Sequence, residues 1–200
     1  MRDASGESCY WVESMTRESS PKVQDLSSFR LPRHFRGRSA IVVQLWWAVQ
    51  ATVFHGSPQI FYGFRRWLLR LFGARVGKGV LIRPSATFTY PWKVTVGDDV
   101  WIGDNVVVYS LGEIVIGSNV VVSQKSYLCA ATHDYRSRSF DMLASKIVID
   151  DEVWVSADVF VAPGVKIGKG AVVGARSSVF RDLPPMMVSM GSPAQPLRPR

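Results

Sequence analysis

The chain has 200 residues, 47% of them hydrophobic, which is enough for one sizeable core with an appendage and too short for several large domains. Its formal charge of +8 raises nucleic acid or a membrane surface as a partner, but the basic residues form no single run and no nucleic-acid-binding motif occurs, so nucleic acid is set aside. Two cysteines, Cys9 and Cys129, make no disulfide framework and suit a reducing cytoplasm.

Residues 1–22 are rich in Ser, Glu and Arg and read as a disordered tail, and no apolar core followed by a cleavage site marks residues 1–38 as a signal peptide. Residues 23–75 form an N-terminal segment with two expected helices. Ser39 is placed to cap the first, over about 40–55, and Gly56-Ser57-Pro58 breaks it. The second runs from about Pro58 to Phe72, with Gly73 as its stop. No Asp, Glu, Lys or Arg occurs from Ser39 to Phe64, but Pro58 interrupts the apolar run, which before Gly56 only just reaches the lower limit for a membrane span. Packing of 39–72 against the main domain or a neighbouring subunit is therefore expected, ahead of peripheral contact with a membrane surface through the same residues.

From Val76 to about Leu183 the helical periodicity gives way to a six-residue repeat. Stepping by six gives Val76, Ile82 and Phe88. The series restarts at Val96, Ile102 and Val108, and again at Ile116, Val122 and Leu128. It resumes at Ile149, Val155, Val161, Ile167, Val173 and Val179. Four positions on from many of these stand compact residues, among them Val80, Ala86, Ser126 and Thr132. A period of six is neither helical nor a two-residue alternation. It fits a short strand and a turn repeated three times per coil, an all-β prism with one aliphatic residue per side pointing inward.

The restarts carry information. Each of the first two coils has two extra residues, Val94-Thr95 and Ile114-Val115, and the third has a longer insertion in the same phase, the loop 134–148. Every irregularity thus falls at one corner, and an excursion on a regular scaffold is where function concentrates. The chain's histidines are His34, His55 and His133, and only His133 lies in the repeat, just before that insertion. Imidazole is the side chain best matched to proton transfer near neutral pH.

Residues 76–183 resemble the hexapeptide-repeat acyltransferases, whose fold is a left-handed parallel β-helix. The resemblance is carried by Ala131-Thr-His133, by Ile149-Asp-Asp-Glu-Val-Trp154, by Val161-Ala-Pro-Gly-Val-Lys-Ile-Gly168 and by Gly191-Ser-Pro-Ala194. Irregular segments extend it over about residues 25–197 and point to the colanic acid biosynthesis branch: Asp25-Leu-Ser-Ser-Phe29, Val43-Gln-Leu-Trp-Trp-Ala-Val-Gln-Ala-Thr52, Tyr90-Pro-Trp-Lys93 and Ser123-Gln-Lys-Ser-Tyr-Leu-Cys129.

The resemblance implies an acetyl-CoA-dependent O-acetyltransferase of exopolysaccharide assembly, cytoplasmic or at the inner face of the membrane. It implies a homotrimer with its site between adjacent prisms, and an acceptor that is a sugar or a nucleotide- or lipid-linked sugar. It assigns His133 as general base. It assigns an acceptor contact to Asn105, and Asp134 and Tyr135 are taken as further acceptor contacts, although Asp134 could instead orient the imidazole or, the preferred role, open the loop. Contacts with the coenzyme fall to Ala157, Ala175, Phe180, Arg181 and Arg198, although Phe180-Arg181 and Gln195 depart from the usual pattern. Residues 184–200 are left as a C-terminal tail. No metal is implied: a γ-type carbonic anhydrase needs three His ligands, and the repeat offers one. The alternative function is a non-catalytic β-helix scaffold of a polysaccharide assembly complex.

Overall fold

The computed structural model describes residues 22–200. Residues 1–21, with Cys9, lie outside it, and so does the tail expected at 1–22 apart from its last residue. The repeat folds as a β-helix of three sheets with five, seven and five strands, parallel throughout except for the last strand of the second. The first face stacks Arg75–Val76, Val94–Val96, Ile114–Ile116, Ile147–Ile149 and Lys166–Ile167. The second begins Leu81–Ile82, Trp101–Ile102, Val121–Val122, Trp154–Val155 and Val172–Val173. The third stacks Thr87–Phe88, Val107–Tyr109, Tyr127–Cys129, Phe160–Val161 and Ser178–Val179.

The inward column follows the six-residue step. On the first face Val76, Val96, Ile116, Ile149 and Ile167 stand in register, one per coil. Ile82, Ile102, Val122, Val155 and Val173 do so on the second. All are buried. Each fully buried side chain of this size contributes about 1.5–3 kcal/mol relative to exposure, so the column is the main source of stability. The extra residues of the long coils add a further inward row on the first face, Val94, Ile114 and Ile147, also in register. The turns between the first two faces and between the second and third repeatedly use the left-handed backbone. Asp99, Asn119 and Glu152 adopt it at the former, and Asn105, Lys125, Asp158 and Arg176 at the latter.

Helices α1 (Ala40–Val49) and α2 (Tyr62–Leu71) sit on the N-terminal end of the prism. Ser39 accepts from Val42 N–H, as its capping position predicts, and Gly73 ends α2 with φ +93°. The first helix continues as a π-turn over Gln50–Phe54.

What these helices do follows from β-helix hydrogen bonding. Within the prism, the carbonyl of each inward residue accepts from the coil above: Val96 from Gly77, Ile102 from Arg83, Val108 from Thr89. The first coil has no coil above it, so the carbonyls of Val76, Ile82 and Phe88 need other donors. Arg70 Nε reaches Val76 O at 2.9 Å, Arg65 Nε reaches Ile82 O at 2.7 Å, and Trp46 Nε1 reaches Phe88 O at 2.7 Å. Arg66 serves Val80 O, and Gln50 Oε1 accepts from Phe88 N–H. One donor thus closes each face, and residues 39–72 pack on the main domain.

Two expectations change. The insertion at 134–148 is not a plain loop. It leaves the prism earlier, as an antiparallel hairpin of Ala131–His133 with Met142–Ala144, and the first-face strand resumes at Ile147. Thr132 is therefore an exposed hairpin residue and not a compact corner. Residues 184–200 are ordered as a second hairpin: Met187–Gly191 joins the second face beside Val172–Val173, and Ala194–Pro199 returns antiparallel to it.

Candidate active site

The hairpin that carries His133 leaves the corner between the third and first faces. Its foot is tied to the prism by Ala130 N–H donating to Tyr109 O and by Ser145 N–H donating to Ala130 O. Gly112 is required beneath it, because a Cβ there would lie 2.6 Å from Ala130 O. A small apolar cluster of Val43, Tyr90, Leu111 and Ala131 joins the hairpin to α1. Lys93 braces the same region. Its ammonium donates to Phe35 O (2.6 Å) and to Leu111 O, and burial pushes its pKa down.

His133 lies on the outside of the column and is half-buried. Its ring is fixed from two sides. Phe140 stacks on it with centroids 4.2 Å apart and planes within 10°, and Nδ1 lies 2.8 Å from the Phe140 carbonyl. A carbonyl only accepts, so Nδ1 carries the proton and Nε2 of the neutral ring keeps its lone pair. Phe140 has φ +54°, a conformation a bulky residue rarely adopts. That twist turns both its ring and its carbonyl back onto the imidazole. The strain is held by the turn: Phe140 N–H donates to Ser137 O, and the Asp141 carboxylate accepts from the hydroxyls of Ser137 (2.8 Å) and Ser139 (2.7 Å), which lowers its pKa. From the N-terminal segment, Phe29 approaches the imidazole at 6.2 Å, and Asp25 N–H donates to Arg138 O. Phe140 and Phe29 are the site residues that sequence reasoning missed. Phe140 gave no signal, while Phe29 stood in a segment that carried the family resemblance.

The other expected residues scatter. Asp134 does not touch the ring: its Oδ1 accepts from Arg136 N–H (2.9 Å) and its N–H donates to Asp141 O, so it opens the hairpin turn. Tyr135 is exposed beside Arg136. Asn105 stands at a different corner, between the second and third faces, with φ +56°. A single chain does not bring it to His133. It lines a cleft of about 520 Å³ with Tyr62, Trp101, Gln124, Lys125 and the Arg83–Asp104 ion pair (2.8 Å). Ala157 and Ala175 occupy that same corner one coil apart, linked by Arg176 N–H donating to Ala157 O. Phe180 is exposed at the end of an aromatic ladder, Tyr109–Tyr127–Phe160–Phe180, on the third face. Arg181 and Arg198 are exposed. Among the described residues, no group of three or more His, Cys, Asp or Glu side chains is placed to hold a metal.

A β-helix of six-residue steps is the architecture shared with solved hexapeptide-repeat acetyltransferases. No family model matches the chain. It is 59% identical over 178 residues to the protein of Escherichia coli (strain K12) described as colanic acid biosynthesis acetyltransferase WcaF, covering 89% of this chain and 98% of that one. It is 28% identical over 137 residues to the galactoside O-acetyltransferase of the same organism, covering 67% of this chain and 68% of that one. The solved structure of a hexapeptide-repeat-containing acetyltransferase of Vibrio cholerae, complexed with acetyl-CoA, superposes with a TM-score of 0.74 at 27% identity, covering 82% of this chain and 91% of that one. The chain belongs to the colanic acid biosynthesis acetyltransferases, within the left-handed β-helix acetyltransferases.

Proposed function

We propose that the protein moves an acetyl group from acetyl-CoA to a hydroxyl of a sugar, free or nucleotide- or lipid-linked, in the cytoplasmic assembly of a colanic-acid-like exopolysaccharide, with His133 as general base. The observation that carries the reading is the bond between His133 Nδ1 and Phe140 O, which leaves Nε2 free to accept a proton at the one irregular edge of the prism. The Vibrio cholerae relative's acetyl-CoA and the galactoside relative's acceptor class support the donor and the acceptor.

In this mechanism Nε2 takes the proton of the sugar hydroxyl as its oxygen attacks the thioester carbonyl. Nδ1–H, held by the Phe140 carbonyl, stabilises the imidazolium that forms. Backbone N–H groups stabilise the oxyanion. When the tetrahedral adduct collapses, the C–S bond breaks and the imidazolium returns its proton to the departing thiolate. General base catalysis contributes about 10²–10⁴-fold, and the rest comes from positioning and from the oxyanion site.

The prism works as a homotrimer in this reading. The exposed outer side of the second face, with Trp101 and Trp154 standing either side of Val121, is the flat apolar surface such packing uses. Neighbouring prisms would then bring the corner bearing Asn105, Ala157 and Ala175 to the His133 hairpin of the next chain. Asn105 and Tyr135 serve the acceptor, with Asp134 holding the turn beside them. Ala157 and Ala175 leave room for the coenzyme arm along the corner, and Phe180, Arg181 and Arg198 contact the coenzyme beyond it.

The test is thiol release from acetyl-CoA against a panel of nucleotide sugars and polysaccharide fragments. His133→Ala is expected to lose at least roughly a hundredfold in rate at unchanged acetyl-CoA affinity. An unchanged rate removes His133 as the base. Failure of the wild type to bind acetyl-CoA would favour the scaffold function.

A further inference from the structure

We propose that the helical end of the prism docks on an anionic phospholipid surface. Three observations meet there, and none depends on the catalytic assignment.

The first is the fixed orientation of the two helices. Arg65, Arg66 and Arg70 bind the side of α2 to the carbonyls of Ile82, Val80 and Val76, while Trp46 and Gln50 bind α1 to Phe88. Neither helix can roll to hide its other side. The second is what that other side carries. Ile41 (80% exposed), Leu45 and Trp47 project from α1, Ile60 (77%) and Phe61 from the connection, and Trp67 and Leu71 (63%) from α2. Trp67 stacks on Phe64 at 6.0 Å, adding to a broad aromatic surface. An exposed apolar area of this kind marks an interaction site.

The third is charge, and it selects the occupant. From Leu26 to Gly97 the sequence has eleven Lys and Arg residues and no Asp or Glu. Arg38 precedes α1, Arg66 and Arg70 lie on α2 with Arg65 buried beneath it, and Arg75 and Lys78 follow in the first coil, while Lys93 belongs to the foot of the His133 hairpin. The capping arginines bond to neutral carbonyls and keep their charge. Among the ion pairs of the described residues, Arg83 with Asp104 is the one drawn from this stretch. Two copies meeting end to end would oppose like charges, whereas anionic headgroups complement them. Trp and aliphatic side chains rimmed by arginine are the composition of a helix lying in the headgroup region. Neither helix is long and apolar enough to cross a membrane; even α1 with its continuation to Phe54 reaches only about 20 Å, short of a hydrocarbon core of about 30 Å.

The experiment is flotation of the full chain with vesicles containing phosphatidylglycerol, against vesicles of phosphatidylcholine alone, at low and high salt. Binding to the anionic vesicles at low salt is expected, weakened roughly tenfold or more by neutral lipid or by high salt. The triple variant Ile60→Ser, Trp67→Ser, Leu71→Ser should lose roughly tenfold or more in binding while keeping a cooperative thermal transition. If that variant fails to fold, the exposed pair Arg38→Gln, Arg75→Gln provides the reading, with binding weakened and its salt dependence reduced. Three outcomes overturn the proposal: no flotation of the wild type with anionic vesicles at low salt, full binding by either folded variant, or a fall in oligomer mass in the triple variant without vesicle binding by the wild type, which would assign the face to a second copy.

Discussion

The two ends of the prism face the same problem and solve it with different chemistry. At the N-terminal end the first coil presents carbonyls, and donors come from side chains: Arg70, Arg65 and Trp46, one for each face. At the C-terminal end the last coils present N–H groups, and acceptors come from backbone. Gly174 N–H donates to Ser189 O (2.8 Å) and Gly168 N–H to Leu183 O (2.9 Å). The returning strand Ala194–Pro199 then closes that edge, with Pro196 and Pro199 contributing no N–H for further pairing. Donor-only guanidinium and indole groups suit a row of carbonyls. They also leave guanidinium charge together with aromatic surface at that end, whereas at the C-terminal end Arg198 and Arg200 stand exposed without aromatic neighbours from the cap. The end that is closed by side chains is therefore the end equipped to meet an anionic partner.

This contrast can be broken most directly at Arg65. Its guanidinium is fully buried and bonds to Ile82 O, Ser57 Oγ, Pro58 O and Gln59 O. Arg65→Ala leaves Ile82 O and Ser57 Oγ unpaired in the interior, and a loss of about 3 kcal/mol in urea unfolding is expected. Arg65→Lys should rescue little, because one ammonium cannot reproduce the planar fork. A loss near zero for Arg65→Ala would mean that the N-terminal end does not depend on side-chain donors.

A smaller effect is expected in the wall between the two ends, at high pH. Burial pushes the Tyr127 phenol up to about 12 in the aromatic ladder. A raised folded pKa means that the folded state holds its proton more tightly than the unfolded chain, whose tyrosines ionise near pH 10. The resulting stability is fully present below about pH 10 and is lost as pH rises towards about 12. Tyr127→Phe should flatten that part of the alkaline unfolding curve and leave the neutral region nearly unchanged. A curve of unaltered shape would place the alkaline loss elsewhere.

The smallest effect is expected at the opposite end. Arg200 also donates to carbonyls, those of Glu152 (2.7 Å) and Gly170 (3.1 Å), but from an exposed position. Water can replace it, so Arg200→Ala should cost only about 0.5 kcal/mol. A cost matching that of Arg65→Ala would erase the distinction between the ends.

The prism was legible because its signal is local and repeated. Each coil needs an aliphatic residue at the same step, so the periodicity writes the column directly into the chain, down to the register of Val76 with Val96 and Ile116. His133 was marked out for the complementary reason, as the repeat domain's histidine standing where the period breaks, and the family resemblance made it the expected base. The orientation of its ring was not legible, because it depends on Phe140, seven residues on, adopting a backbone conformation that no propensity favours. Asp134 could orient the imidazole or, as preferred from the sequence, open the loop, and its hydrogen bonds to Arg136 and Asp141 place it in the turn. The arginines of α2 gave no signal of their role, because their function as caps exists only once Val76, Val80 and Ile82 are brought beneath them.

The amino-acid order alone thus determined the three-sided β-helix, its inward residues and the corner of its excursion, since these follow from spacing along the chain, while the family resemblance singled out His133 as the candidate base. Tertiary structure decided the tautomer-setting contact of His133, the hairpin shape of the insertion, the caps at both ends and the outward apolar side of the helices. Those depend on which groups meet across distant segments, and hydrogen bonds between residues far apart in sequence leave no period to read.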